Sequence, residues 1–335
     1  MLLRIFKSNS LGLIFFLPIL AVLLWSDIFM LDKNNFVPLP YSMPAYAFVM
    51  KYLTNEITSG VIALILIILQ AFYLIYINKV YNFISQRTYL TSLLFVLISS
   101  AYLNLHYLHP AIIANIFVLL TIVEIFSSYK KPKVYSASFN SGFLIATAGL
   151  FYVNANFLIF FVFTSLLILH SFNWREWFAA ILGFLTPYLF TLFIYYYNGN
   201  LQELSIVYEA IINHSSPKIN WPLSYYIFTG ILALIGLFSV FKLSTTYSNN
   251  KISTRNYFTL FSILLAILSL IFFIIPFASI ELIVILSIPL SYLIANYYLS
   301  NANKWVQDIS FLWLIVAFIF FYIQKYFDIG FTTIL

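Results

Sequence analysis

The 335-residue chain contains no cysteine, only 8% charged residues and only four histidines. Without cysteine there is no disulfide, no Fe–S cluster, no thiol nucleophile and no Cys-based zinc site. Charge at about a third of the soluble norm, with 63% hydrophobic and 21% aromatic residues, excludes a water-soluble domain. Any chemistry must come from ten carboxylates, four imidazoles and sixteen bases. No repeat of fixed period and no inverted repeat is discernible.

Apolar runs bounded by polar or basic residues place membrane spans at 11–31, 57–77, 89–105, 110–127, 139–152, 155–170, 176–197, 223–243, 257–275, 279–299 and 309–327. The chain is thus expected to be all-α: a polytopic integral membrane protein with one helical domain over 1–335. No room remains for a nucleotide-binding, DNA-binding or soluble hydrolase domain. The first run has Pro18 at its middle and ends in Trp25-Ser26-Asp27 without a small-residue cleavage site, so a retained anchor is expected. The runs 139–152 and 155–170 are short. They are either two spans or one re-entrant hairpin turning at Val153–Asn156, giving eleven spans or nine.

Lysine and arginine collect on the cytoplasmic side of membrane proteins. With the N-terminus inside, twelve of the sixteen bases fall on inner segments, and only Lys33, Lys51, Lys218 and Lys325 fall outside. This distribution accounts for the net charge of +6 without any nucleic-acid partner. It puts the C-terminus outside. Trp25, Trp174, Trp177, Trp221 and Trp305 lie near span ends and read as residues of the interfacial aromatic belt.

Two loops of some length, 32–56 and 198–222, both fall outside. Residues 45–53 of the first form a short interfacial helix in this reading. In the second, Leu201, Leu204, Val207, Tyr208, Ile211 and Ile212 recur at helical spacing opposite Gln202, Glu203, Ser205, Glu209 and Asn213, which predicts an amphipathic surface helix. Most acids, Glu281 among them, and most histidines share this side. Asp27 and Asp32 follow the first span, where an acid can act as general base toward a hydroxyl, or hold a divalent cation against a phosphate-linked donor. The plainer reading is a solvated loop acid, Asp32 paired with Lys33. His106 and His109 form an H-x-x-H turn, but Pro110 favours an extended His109 and so breaks the one-face geometry of a metal pair. At the inner face, Asn173 and Glu176 read as N-cap and N3 of a helix.

The stretch Ser171-Phe172-Asn173-Trp174-Arg175-Glu176-Trp177, followed by Gly183-Phe184-Leu185-Thr186-Pro187-Tyr188, resembles an uncharacterised family of polytopic inner-membrane proteins of Gram-negative bacteria. Members of such families are sometimes labelled carotenoid-cleaving oxygenases, which need about four histidines around one iron. Here His170 falls at the inner end of a span, whereas His106, His109 and His214 fall outside, so no iron is expected. The architecture is also similar to the GT-C membrane glycosyltransferases, which draw sugars from polyprenyl-phosphate carriers. That likeness implies a base in the first outer loop, Asp32 or Asp27. Lys33, Lys51 and Lys218 are the bases near enough for the carrier phosphate, and His106, His109, Glu203, Glu209 and His214 complete the outer substrate-binding set. The rival readings are a structural or accessory subunit that packs on other inner-membrane subunits and, third, a transporter of amphipathic membrane lipid.

Overall fold

The computed structural model describes residues 11–30, 42–53, 55–84, 88–102, 105–213, 223–246, 251–275, 277–300 and 304–327. Among them the regular structure is helical: α1 (Leu11–Leu24), α2 (Asp27–Met30), α3 (Pro44–Met50), α4 (Glu56–Tyr81), α5 (Leu90–Ser99), α6 (Pro110–Ser128) and α7 (Tyr135–Phe151). A 3-10 turn at Val153–Leu158 leads into α8 (Ile159–Leu169). Then come α9 (Trp174–Tyr197), α10 (Leu201–Asn213), α11 (Leu223–Thr246), α12 (Ile252–Ile274), α13 (Leu282–Leu299) and α14 (Lys304–Phe327).

Helix ends follow local chemistry. At the start of α4 the Asn55 side chain accepts a hydrogen bond from Ile57 N at 3.0 Å. At its end Asn82 takes the left-handed conformation (φ 46°), while Asn78 Oδ1 accepts from Ile84 N. Pro110 opens α6, where its missing N–H costs nothing, and His109 before it is extended (φ −91°, ψ 158°), as the proline requires. Asn173 caps α9 by accepting from Arg175 N, and its own amide donates to Glu176 Oε1 at 3.2 Å.

Six helices are long and apolar enough to cross a membrane: Ile57–Tyr81, Pro110–Ser128, Trp174–Tyr197, Tyr225–Thr245, Ile252–Ile274 and Leu282–Leu299. Shorter apolar helices cover Ile14–Phe29, Leu90–Ser99, Val153–Leu169 and Trp305–Ile319. Large apolar side chains cover the outside of the bundle, for example Phe178, Leu189, Phe190 and Phe193 of α9 and Leu237, Phe238 and Phe241 of α11. Such a surface is stable in lipid and not in water. The chain is a membrane protein.

The expected run 89–105 is helical only to Ser99, because the backbone then turns so that the Ser100 carbonyl reaches the His106 ring. The 139–170 pair is a hairpin whose turn lies beside Ser279, through Tyr152. Its return leg brings His170 to Ser128 at the far end of α6. The hairpin therefore runs the full depth that α6 runs. At the centre stands α13, packed against α5, α6, α11 and α12. α9 sits at the periphery, held chiefly by α7. The bundle has two ends, here called the Asp27 end and the Lys130 end.

Candidate functional site

The Asp27 end gathers Asp27, His106, His109 and Glu281, four of the five buried acids and histidines among the described residues; the fifth, Glu176, sits in the first turn of α9 at the Lys130 end. Trp25 and Asp27 leave α1 on the short turn of α2, and the five residues Leu105–His109 between α5 and α6 fold in beside them. His106 Nδ1 lies 2.7 Å from Asp27 Oδ1, with both side chains at 0% exposure. His106 Nε2 lies 3.1 Å from the Ser100 carbonyl oxygen. The Trp25 ring stacks on the imidazole at 4.3 Å with an interplanar angle of 13°, and its Nε1–H donates to Ser100 Oγ at 2.8 Å.

Proton inventory follows from these contacts. A carbonyl only accepts, so Nε2 carries a hydrogen. The contact of Nδ1 with the carboxyl group is then bridged by one further proton, whichever atom holds it. The pair as a whole is neutral, as burial at this depth demands.

A second network adjoins it. Tyr107 OH donates to Glu281 Oε1 at 3.2 Å, Ser279 stands beside the same carboxyl, and Ser279 Oγ lies 3.0 Å from the Tyr152 hydroxyl. Asn154 Nδ2 donates to Tyr152 Oη at 3.0 Å. Tyr46 of α3 donates to the Leu108 carbonyl at 2.8 Å, and Leu108 N donates to Ser59 Oγ of α4 at 3.0 Å, which fastens the 105–109 segment from two sides. His109 is fully buried, edge-on to Tyr107 at 5.7 Å, and neither of its ring nitrogens has a hydrogen-bond partner.

Burial pushes His109 down to about 3, with the nearby His106 adding to the effect. Burial pushes Glu281 up to about 7, against the opposing hydrogen bonds from Tyr107 and Ser279. Tyr46 and Tyr107 are raised by burial and by the Glu281 carboxylate. His109 is thus a neutral imidazole, and Glu281 is a carboxyl poised between its two states near neutrality.

Of the residues singled out by sequence, Asp27, His106 and His109 come together here. Lys51 ends α3 and is exposed. Glu203 and Glu209 lie on the exposed face of α10, apart from this cluster, with Glu203 accepting from Asn200. The amphipathic reading of α10 matches the buried Leu204, the half-buried Val207 and Tyr208 and the exposed Gln202, Glu203, Ser205 and Glu209, whereas Leu201 of the expected apolar face is exposed, and the side chains of Ile211, Ile212 and Asn213 lie outside the described residues. Asp32, Lys33, His214 and Lys218 lie outside the described residues. Trp25 departs from its expectation: it is fully buried against His106 and not in an interfacial belt, whereas Trp174 and Trp305 are 64% and 78% exposed. Glu281, Tyr107, Ser279, Tyr152 and Asn154 were not expected as a group, although Glu281 belongs to the outer acids and Asn154 to the suspected turn. Among the described residues no three acid or histidine side chains converge as metal ligands.

No curated protein and no solved structure matches the chain. The family of unknown function DUF6427 matches residues 32–329, a span that holds Tyr46, His106, His109 and Glu281 and begins after Trp25 and Asp27, and the chain belongs to that family.

Proposed function

We propose that the protein crosses the bacterial inner membrane eleven times, with the Asp27 end outside, and binds there a lipid-linked glycan or its polyprenyl-phosphate carrier. The observation that carries this reading is the gathering of Asp27, His106, His109 and Glu281, all buried, at one end of an otherwise apolar bundle. Ionisable groups at such depth are costly and mark function. Lys79, Lys130, Lys131, Lys133, Arg175, Lys242, Lys251 and Arg255 stand at or beside helix ends on the opposite side, which supports the orientation. The α3 and α10 helices flank the site end, where a carrier lying in the outer leaflet would present its sugar.

In a GT-C-like transferase Asp32 is the candidate base, five residues along the sequence from Asp27, whose pairing with His106 anchors the α2 turn. Asp27 itself has no exposed surface, which suits a positioning role better than direct contact with an acceptor hydroxyl. Mass spectrometry of lipids that copurify from mild detergent tests the reading. Polyprenyl phosphates or their glycosylated forms are expected in wild type. Their absence, together with full activity in cells of an Asp32→Asn, Asp27→Asn double variant, would favour an accessory subunit. That second reading draws on α9, whose long apolar flank is held by few other helices and is open to partner helices as well as lipid. Copurification of stoichiometric partner subunits would support it.

A further inference from the structure

Glu281 precedes α13, fully buried, and the groups that touch its carboxyl are the hydroxyls of Tyr107 and Ser279. No lysine or arginine reaches it among the described residues. The ionisable groups facing it from the surrounding elements are Tyr107 from the α5–α6 connection, Tyr46 from α3 and Tyr152 from the end of α7. These tyrosines are neutral at physiological pH, so among the described groups around Glu281 the proton free to come and go is the one on the carboxyl.

The hydrogen-bond chain leading away from Glu281 can run in either direction. With an ionised carboxylate every donor must point inward: Asn154 Nδ2 to Tyr152 Oη, Tyr152 OH to Ser279 Oγ, and Ser279 OH to the carboxylate. In this arrangement Asn154 Oδ1 is buried without a partner. With a protonated carboxyl the Glu281 OH becomes a donor, and each link reverses: Glu281 to Ser279, Ser279 to Tyr152, and Tyr152 to Asn154 Oδ1. A rotation of the Asn154 amide completes the reversal and moves the unpartnered atom from Oδ1 to Nδ2. Hydroxyl rotors and amide orientation are the cheap degrees of freedom in such a chain.

We propose that Glu281 is a proton-binding site and that the Ser279–Tyr152–Asn154 chain carries its protonation state to the Val153–Leu158 turn between α7 and α8. The proton comes from water at the Asp27 end, and the O–H bond on Glu281 is the only covalent bond formed. The turn in question also holds Asn156, which accepts from Tyr188 of α9, so a change at Asn154 reaches three helices. A buried carboxyl with hydroxyl partners and no cation is the form that proton-coupled membrane proteins use for loading a proton. The proposal does not depend on which lipid or glycan binds.

The test is infrared difference spectroscopy of the full chain in phosphatidylcholine nanodiscs, titrated across neutral pH. A carbonyl band of a protonated carboxylic acid should grow as pH falls and shift in D2O. It should move when glutamate, but not aspartate, is labelled with 13C, and vanish in Glu281→Gln. An asparagine side-chain amide band should titrate with it and be lost in Tyr152→Phe, which leaves the acid band in place. The labelling experiment uses the wild-type chain, so it separates glutamate from aspartate even where a variant fails to fold, and Glu281→Gln singles out Glu281 among the six glutamates. The absence of a titrating acid band, one that follows aspartate label, or one with no amide companion overturns the proposal. Failure to find copurifying polyprenyl lipids would leave it standing.

Discussion

Replacing Gly142 of α7 or Gly183 of α9 by alanine should loosen the contact that ties α9 to the bundle. A Cβ on Gly142 would lie 2.1 Å from the Ala180 carbonyl oxygen, and one on Gly183 would lie 2.0 Å from the Phe139 carbonyl oxygen. Both are about 1 Å closer than real side chains approach. The obstructing atoms belong to helix backbone and cannot rotate aside. The helices must therefore part by about 1 Å, which forfeits a quarter to a half of the dispersion energy at facing atoms along the seam. Overpacking of this kind costs about 1–3 kcal/mol, and loss of each close Cα–H to carbonyl contact adds about 0.5–1 kcal/mol. We expect about 2–4 kcal/mol for the first alanine. Once the helices have separated, the second clash is already relieved, so the double variant should cost much less than the sum. Unfolding by sodium dodecyl sulfate in mixed micelles, followed by circular dichroism, measures this. Gly230→Ala of α11 is the control, since a Cβ there meets nothing within 4 Å and alanine favours the helix. The reasoning fails if Gly142→Ala and Gly183→Ala are as mild as Gly230→Ala, or if their costs simply add.

Asp27→Ala should destabilise by about 3–5 kcal/mol in the same assay, because it leaves the buried His106 ring without its Nδ1 partner. Asp27→Asn should cost only about 1–2 kcal/mol, since an amide N–H can donate to a neutral Nδ1 while Nε2–H keeps the Ser100 carbonyl. Stability should be domed in pH. Glu281 binds its proton more tightly folded, at about 7 against an ordinary 4.5, so that contribution is present below about 4.5 and is lost as pH rises through 7. His109, at about 3 against an ordinary 6.5, contributes stability above about 6.5 that is lost as pH falls toward 3. Glu281→Gln should flatten the upper limb of an unfolding titration, and His109→Asn the lower limb. Brominated lipids should quench Trp174 and Trp305 but spare Trp25, which single-tryptophan variants would resolve; quenching of Trp25 would contradict its seat against His106.

The apolar runs make the helices legible because lipid imposes length and composition on whatever crosses it. Local rules are legible too: Pro110 forces the extended His109, and Asn173 announces the start of α9. The interior of the Asp27 end is less so. Residues 89–105 stay apolar past Ser99, so nothing local marks where α5 stops; the cause is the tertiary demand of His106 for the Ser100 carbonyl. A buried tryptophan and a belt tryptophan look alike at the end of an apolar run, and only the imidazole stacked on Trp25 separates them. Glu281 draws its hydroxyl partner from Tyr107, 174 residues earlier, a pairing that no spacing rule reaches. Asp27 and His106 were each noticed as ionisable groups near the boundary, but their contact spans 79 residues and belongs to the fold rather than to a motif.

The enclosure of α13 bears on how the chain is made. Its most apolar stretch is 83% buried, against 17% for α9, and Tyr292 at its middle donates to the Leu74 carbonyl of α4. Yet α13 leaves the ribosome after α1–α12. Until then the flanks of α5 and α6 that α13 covers are empty, and the Leu74 carbonyl of α4 has no Tyr292 hydroxyl to accept from. The nascent bundle is consequently an open ring waiting for its axle. A chain stopped before residue 282 would present that open slot to the membrane and to the proteases that patrol it, so the late arrival of one helix sets the interval during which the unfinished protein is most exposed to degradation.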